Sequence, residues 1–460
     1  MSAAGVAGPA SGGDAEHEPS PSGTPLVSVA GSASEDGADR EPSPSGTRIA
    51  DALRQLGEIG GGAGGEVTRL AFTPADRRAH ELVGEWMRAA GLTVRTDSFG
   101  NTIGEQSSSG APYLALGSHL DSVPNGGRYD GIVGVVGALE VARMLAATSA
   151  TATHHPLRVV AFANEEGARF GEACLGSKAI AGLLTAADAD RLTDANGVTL
   201  AAAMASVGFR ADRMAEARWA EGEVAAFLEL HIEQGRTLES EGVQVGLVDA
   251  IAGNTRLRCR IDGRADHSGA TRMHERRDAL AAASEIVLAV EGLANERERG
   301  TTVATVGRLD VFPNSITTIP GVARLTIDVR DVDSDRQREA ARDAIRLAEA
   351  ICARRQVELQ VEVISDTSPS ILPLWLRRIA HGVCEGSQIT RRVLSSGAGH
   401  DAQILARIVP AGMVFVPSRE GLSHVPEEWT SVDDIAAGIR VLFRTLIALD
   451  RFLVELPQSA

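Results

Sequence analysis

The sequence contains no long apolar run and little cysteine. No stretch approaches the ~20 apolar residues that a membrane-spanning helix needs. Residues 1–46 lack a signal-peptide core and are too poor in arginine for an organelle transit peptide. The four cysteines show no CxxC or other ligand spacing, which argues against a zinc ribbon and a disulfide framework; they are Cys174, Cys259, Cys352 and Cys384. We therefore expect reduced thiols and a cytoplasmic protein.

Lysine is also scarce, since Lys178 is the single one, and acidic residues outnumber basic ones to give a formal net charge of −16. This balance argues against nucleic-acid and anionic-membrane partners, and is compatible with a soluble enzyme. A chain of 460 residues, 43% of them hydrophobic, is long enough for two well-packed domains.

Residues 1–46 are rich in glycine, alanine, serine and proline. The heptapeptide at residues 18–24 recurs at residues 41–47. With so few large apolar side chains, this segment is predicted to be a disordered tail.

Several short apolar runs end in metal-type ligands. The run 113–116 predicts a buried strand that is followed by His119, Asp121 and Asp130. An imidazole in His-x-Asp spacing can bind a metal while the carboxylate of Asp121 orients the ring, and Asp130 lies on a glycine-rich loop that can return to the site. A polar turn after a strand is the alternative interpretation.

Two further predicted strands, 157–163 and 225–230, end in the same way. Glu165 and Glu166 follow the first strand, and His231 follows the second. One of two adjacent carboxylates can bind metal while the other moves protons for a water molecule; a solvated acidic turn is the alternative. His424, after a strand at 412–416, can supply a remaining ligand.

Residues 251–365 read as a unit inserted into this α/β frame. Their pattern predicts the order strand, helix, strand, strand, helix, strand, which is typical of a small α+β sandwich. We predict an α/β fold whose parts are listed in chain order: 1–46 tail, 47–250 first part of the catalytic domain, 251–365 inserted α+β domain, 366–460 second part of the catalytic domain.

Four motifs together carry a resemblance to a known family: GSHLDSVPNGGRYDG at 117–131, NEEGARF at 164–170, HIEQG at 231–235 and SGAGHDA at 396–402. In order and spacing, residues 48–455 resemble the amidase/carbamoylase branch of the dinuclear metallopeptidase family. That branch includes N-carbamoyl-L-amino-acid hydrolase, beta-ureidopropionase and allantoate amidohydrolase. The resemblance implies a mixed-sheet catalytic domain that binds two divalent metal ions, with the inserted domain serving as a lid and dimerisation domain.

The resemblance also assigns roles to residues. Glu165 would be the general base, and Asp130 would bridge two divalent ions. The ions would be zinc, or else manganese or cobalt. The full ligand set it implies is His119, Asp130, Glu166, His231 and His424. In the lid, His267 would stabilise the oxyanion, although Ala270 and Arg272 stand where relatives usually have Thr and Pro. The residues that would hold the substrate are Gln234, Asn314, Arg330 and Gly397.

The activity implied is metal-dependent hydrolysis of the carbamoyl C–N bond of N-carbamoyl-L-amino acids or related ureido acids by a homodimer. Allantoate amidohydrolase and beta-ureidopropionase are alternatives within the branch. An aminopeptidase or acyl-amino-acid deacylase is a more remote alternative. A degenerate, non-enzymatic metal scaffold is disfavoured because Glu165 and every expected ligand are present.

Overall fold

The computed structural model describes residues 41–107, 110–148, 153–296 and 300–455. Most of the predicted tail, residues 1–46, lies outside these ranges. Among the helices of the described residues, none is both long enough and apolar enough to cross a membrane.

The described residues include twelve α-helices and fifteen strands, together with short 3-10 helices at Ala211–Ala217, Met273–Glu275 and Arg419–Gly421. The helices are α1 (Gly46–Glu58), α2 (Pro74–Ala89), α3 (Ile132–Ala147), α4 (Leu175–Ile180), α5 (Ala186–Arg191), α6 (Leu200–Ser206), α7 (Thr237–Glu241), α8 (Ala279–Ala294), α9 (Ser334–Arg355), α10 (Leu374–Gly386), α11 (Asp401–Leu405) and α12 (Val432–Glu455). The strands are β1 (Thr93–Thr96), β2 (Thr102–Glu105), β3 (Tyr113–His119), β4 (Leu157–Phe162), β5 (Val224–Ile232), β6 (Val245–Ile251), β7 (Gly253–Asp262), β8 (Asp266–His267), β9 (Val303–Phe312), β10 (Thr318–Ile319), β11 (Val322–Asp331), β12 (Glu358–Thr367), β13 (Ser370–Ile371), β14 (Arg391–Ser396) and β15 (Ala411–Val416).

A nine-stranded mixed sheet forms the frame. Its order is β1-β2-β4-β3-β5-β15-β6-β13, and β14 pairs with β6. The central strands β4, β3, β5 and β15 run parallel, whereas β2 and β6 join them antiparallel. The predicted mixed-sheet α/β class is therefore confirmed, and each of the four predicted apolar runs lies in one of the parallel strands.

Helix α3 packs closely against this sheet. Almost all of its residues are buried, because it is enclosed by the sheet and by α1 and α12. Small side chains permit the approach. A Cβ atom added to Gly134 would lie 2.3 Å from the carbonyl oxygen of Leu230 and 2.5 Å from the Cβ of Ser118. The helix thus restricts the positions of β3 and β5, the strands that carry His119 and His231 at their ends.

A second, antiparallel sheet has the order β12-β7-β11-β9. On β11, Leu325, Ile327 and Val329 are buried in a core shared with α8 and α9, so the alternate residues lie on the opposite face. The two helices and four long strands of the inserted unit follow the predicted order, and the two-residue strands β8 and β10 are additional. The predicted boundary at residue 365 falls inside β12, because that strand continues to Thr367 before β13 rejoins the larger sheet. The division into domains stays a prediction.

The close approach of α3 makes Gly134 a sensitive position. We expect Gly134→Ala to lower the free energy of unfolding by about 1–3 kcal/mol or more, because the added methyl group meets backbone that cannot move away freely. The matched control is Gly382→Ala in α10, where nothing lies within 4 Å of the added atom. That change should raise stability by about 0.5–1 kcal/mol through helix propensity. Thermal unfolding followed by circular dichroism compares them; equal midpoints for the two variants would contradict the packing argument.

Candidate metal centre

The parallel strands bring the predicted ligands to one edge of the sheet. His119 ends β3 and His231 lies at the end of β5. Glu165 and Glu166 follow β4, and His424 lies on the loop after β15. Ligand sites in open α/β sheets form at the carboxyl ends of strands, so the topology places these side chains together.

The first cluster is formed by His119, Asp130 and His231, all buried. Oδ1 of Asp130 lies 3.5 Å from Nε2 of His119 and 3.1 Å from Nε2 of His231. One carboxylate oxygen therefore faces two imidazole nitrogens.

The second cluster is formed by Asp130, Glu166 and His424. Nε2 of His424 lies 3.1 Å from Oε2 of Glu166 and 3.5 Å from Oδ2 of Asp130. Asp130 thus belongs to both clusters and presents a different oxygen to each.

The hydrogen bonds of the imidazoles test whether this donor set fits a metal. Nδ1 of His119 lies 3.1 Å from the main-chain oxygen of Asp121, and Nδ1 of His231 lies 3.0 Å from that of Ile232. A carbonyl oxygen accepts only, so each Nδ1 carries a proton, and in the neutral form of each ring Nε2 holds the lone pair. Nε2 of His231 accepts the N–H of Gly131 at 3.2 Å, in keeping with this tautomer. Two nitrogen lone pairs and two carboxylates facing one another fit divalent cations.

Gly131 is required by the tight turn beside Asp130. Its φ is +67°, and a Cβ at this position would lie 2.4 Å from the ring of His119. A side chain here would displace the imidazole or the turn. The glycine that follows Asp130 in the sequence motif is therefore required for steric reasons.

Burial and mutual contact shift the pKa values of these groups. Burial alone would raise the pKa of Asp130, but His231 and His119 outweigh it and hold that pKa well below its usual range. Burial raises the pKa of Glu165 well above its usual value, although His119 acts against it. The hydrogen-bonded carboxylate of Glu166 raises the pKa of His424 to about 9. Asp130, Glu165 and Glu166 thus concentrate carboxylates beside the three histidines.

Asp121 acts differently from the predicted arrangement. Its carboxylate accepts the main-chain N–H groups of Glu165 at 2.9 Å and Glu166 at 3.2 Å. With its oxygens committed there, it leaves its own carbonyl oxygen to hold the ring of His119, while the nearest carboxylate oxygen is 3.7 Å from Nδ1. Asp121 therefore connects the His119 strand to the Glu165–Glu166 turn.

Glu165 is buried beside the first cluster. Its Oε2 lies 3.8 Å from Nε2 of His119, and its Oε1 accepts a hydrogen bond from Sγ of Cys174 at 3.2 Å. No metal-type cluster of the described residues includes it. It is a carboxylate near the ligands and outside both ligand groups.

A cavity of about 940 Å³ opens above the clusters, between the two sheets. Three of the predicted substrate residues, Gln234, Arg330 and Gly397, line it together with His424. Nη1 of Arg330 donates to the carbonyl oxygen of Gly397 at 3.0 Å, and Nε2 of Gln234 donates to Oδ2 of Asp130 at 2.8 Å.

Neither His267 nor Asn314 is among the described residues that line this cavity. His267 is exposed on β8, where its Nδ1 accepts the N–H groups of Gly269 and Ala270. Asn314 is exposed and has a positive φ of +54°. Within one chain, the structure does not bring either residue to the clusters.

Sequence reasoning missed Glu428. This buried carboxylate accepts the N–H groups of Tyr129 at 2.7 Å and Asp130 at 3.0 Å through Oε1, and that of His424 at 3.3 Å through Oε2. Burial raises its pKa to about 7. It ties the loop of Asp130 to the loop of His424. In the sequence it is one of two adjacent glutamates after a proline, a pattern that also describes a solvated turn.

His400 and Asp401 are both buried. The ring of His400 lies 4.6 Å from that of His231, and its Nε2 lies 2.8 Å from Oγ of Ser396. Asp401 accepts a hydrogen bond from Oγ of Ser177 at 2.5 Å. His400 thus supports both a ligand ring and the strand end that precedes Gly397.

The chain is similar to known proteins over most of its length. Residues 115–448 match the model of peptidase family M20/M25/M40. The chain is 43% identical over 396 residues to an N-carbamoyl-L-amino acid amidohydrolase of Geobacillus stearothermophilus, covering 86% of this chain and 96% of that protein. It is 35% identical over 407 residues to an allantoate amidohydrolase of Bacillus subtilis, covering 87% and 97%. A crystal structure of a hydantoinase/carbamoylase family amidase from Burkholderia vietnamiensis superposes with a TM-score of 0.81 at 34% identity, covering 88% and 97%.

The position of Glu428 leads to a prediction about metal affinity. In Glu428→Gln an amide N–H₂ replaces an oxygen that faces a main-chain N–H, so the two loops should separate. We expect about 10- to 100-fold weaker metal binding, as for other groups that orient ligands. Calorimetric titration of the metal-free protein measures this, with the exposed neighbour Glu427→Gln as the control. Equal affinities in the two variants would show that the loops hold their positions without Glu428.

Proposed function

Because the chain belongs to peptidase family M20/M25/M40 and to its amidase/carbamoylase branch, we propose that it hydrolyses the carbamoyl C–N bond of N-carbamoyl-L-amino acids. The coarser conclusion, a metal-dependent hydrolase that acts on C–N bonds, follows from the family together with the ligand clusters. The substrate, the residue roles and the number of ions are the proposal.

One observation carries the proposed chemistry. Asp130 presents Oδ1 to His119 and His231 and Oδ2 to His424, which also contacts Glu166. A carboxylate between two ligand groups suits a bridge between two ions. Two ions per chain, zinc or else manganese or cobalt, would be held in this way. When bound, such ions supply Lewis acidity, which polarises a carbonyl oxygen and lowers the pKa of water towards ~7.

Glu165 is proposed as the general base. It lies outside both ligand groups, so its carboxylate is available to accept a proton from the attacking water and deliver it to the leaving nitrogen. Its burial supports this role, because a raised pKa makes a carboxylate a better proton acceptor. The hydrogen bond from Cys174 fixes Oε1, leaving Oε2 towards His119.

Arg330 is proposed to hold the carboxylate of the substrate. N-carbamoyl amino acids carry a carboxylate next to the released nitrogen, and a guanidinium group binds such a group through a planar, two-pronged contact. Arg330 lines the cavity beside Gly397 and His424. Gln234 and Asn314 are proposed to complete the substrate's hydrogen bonds.

A homodimer is proposed because one chain leaves two functional candidates away from its own cavity. A second copy would have to bring His267, as the oxyanion donor, and Asn314. Strand β9 lies at the edge of its sheet and exposes Val303, Leu309 and Phe312, which suits pairing with another chain. The proposed location is the cytoplasm, where the four unpaired cysteines would stay reduced.

Allantoate and beta-ureidopropionate are the alternative substrates within the branch, and dipeptides or acyl-amino acids represent the more remote alternative. Hydrolysis of each, with zinc, manganese and cobalt supplied separately, ranks them. We expect the highest specificity constant for N-carbamoyl-L-amino acids. A higher value for dipeptides would move the proposal to the peptidase alternative.

The two adjacent glutamates should respond differently to substitution. Glu165→Gln removes the proton acceptor, so turnover should fall by about 10²- to 10⁴-fold or more while metal content stays normal. Glu166→Gln removes a ligand, so metal affinity itself should fall. Metal analysis beside steady-state kinetics distinguishes the two. Near-normal turnover in Glu165→Gln would exclude it as the base.

Arg330→Lys tests the carboxylate contact, because lysine keeps the charge and loses the planar fork. We expect the specificity constant to fall roughly ten- to a hundredfold, in line with the ~1.5–3 kcal/mol of a charge-assisted hydrogen bond. Metal content should not change. The comparison substrate is the amide of the same N-carbamoyl amino acid. It should react poorly with the unaltered enzyme, and its specificity constant should fall little further in the variant. Equal hydrolysis of acid and amide by the unaltered enzyme would rule out the contact.

A further inference from the structure

The face of the four-stranded sheet that meets the cavity carries more positive than negative charge. On β11, the alternation that buries Ile327 and Val329 places Asp328 and Arg330 on this face. Arg256 of β7 lies directly opposite Asp328 in the strand register, and it also lines the cavity.

Asp328 contacts both arginines. Its Oδ2 accepts Nε of Arg256 at 3.3 Å and Nη2 of Arg330 at 3.0 Å. Nε of Arg330 adds contacts of 3.4 Å to Oδ1 and 3.3 Å to Oδ2. One carboxylate thus stands between two guanidinium groups, and the three together keep one unit of positive charge.

Other charged residues of the lining do not alter this balance. Arg308 turns to Asp310, with Nε 2.7 Å from Oδ2, and its side chain is 70% exposed. Glu233 is buried, and its carboxylate accepts the N–H groups of Thr237 and Leu238 at the start of α7. Asp328 is therefore the carboxylate that a ligand bound at Arg330 would meet.

We propose that Asp328 makes the site selective for substrates with a single carboxylate. It leaves Arg256 and Arg330 with enough charge for one anionic group, and it repels a second carboxylate on the substrate side chain. This inference rests on the proposed function, and it adds the substrate class: N-carbamoyl amino acids with neutral side chains are accepted and those with acidic side chains are rejected.

The test uses two substrates of nearly the same shape, N-carbamoyl-L-glutamine and N-carbamoyl-L-glutamate. The unaltered enzyme should prefer the glutamine compound. In Asp328→Asn the ratio of specificity constants, glutamate over glutamine, should rise about tenfold or more, the size of one charge-assisted contact. Because the ratio is taken within one protein, a general loss of activity or folded protein cancels.

The control is Asp262→Asn, which removes the same charge from the same sheet beside Arg260, outside the cavity lining. The ratio should not change there. If Asp328→Asn lowered both specificity constants equally, Asp328 would only hold Arg330 in place, and the proposal would be overturned.

A binding measurement separates this proposal from the proposed function. Calorimetry with glutarate and its monoamide, which differ by one carboxylate, needs no turnover. Asp328→Asn should raise the affinity for glutarate about tenfold relative to the monoamide. If neither carbamoyl compound were hydrolysed, the proposed function would fail, and the affinity ratio would still decide the role of Asp328: an unchanged ratio would overturn it.

Discussion

The structure depends on the burial of one carboxylate, Asp130, between two groups of candidate metal ligands. Isolated, such a charge would be costly to bury, and the site offsets that cost by surrounding it with imidazoles. The imidazole rings must also be held in one orientation, so that Nε2 of each ring faces Asp130. Carbonyl oxygens of Asp121 and Ile232 impose that orientation. The charge, the tautomers and the turn at Gly131 form one interdependent unit.

Backbone hydrogen bonds to buried carboxylates then connect this unit to the rest of the fold. Asp121 ties the end of β3 to the turn after β4, and Glu428 ties the loop of Asp130 to that of His424. Both connect segments far apart in the chain. The parallel strands bring the ligands to one edge, and these carboxylates set the distances between them. The cavity above adds its own charge pattern through Asp328 and the arginines it contacts.

Much of the fold and of the candidate site could be predicted from the sequence, because the candidate ligands follow apolar strand segments. An apolar run followed at once by His119, or by Glu165 and Glu166, places the ligand at a strand end whatever the details of packing. Glu428 could not be found in this way, since its function lies in accepting main-chain N–H groups that no side-chain pattern encodes. The same holds for the carbonyl oxygen of Asp121. His267 shows another limit: motif position identifies it, whereas its place outside the chain's own cavity is visible only in three dimensions.

We propose that Asp130 joins two ions in one site, and electron paramagnetic resonance tests this proposal directly. The metal-free protein, loaded with two equivalents of Mn²⁺, should show the spectrum of a spin-coupled pair, as expected for ions about 3.5–4 Å apart. Asp130→Asn, loaded in the same way, should lose the coupling. A spectrum of isolated Mn²⁺ ions in the unaltered protein at full loading would contradict the account.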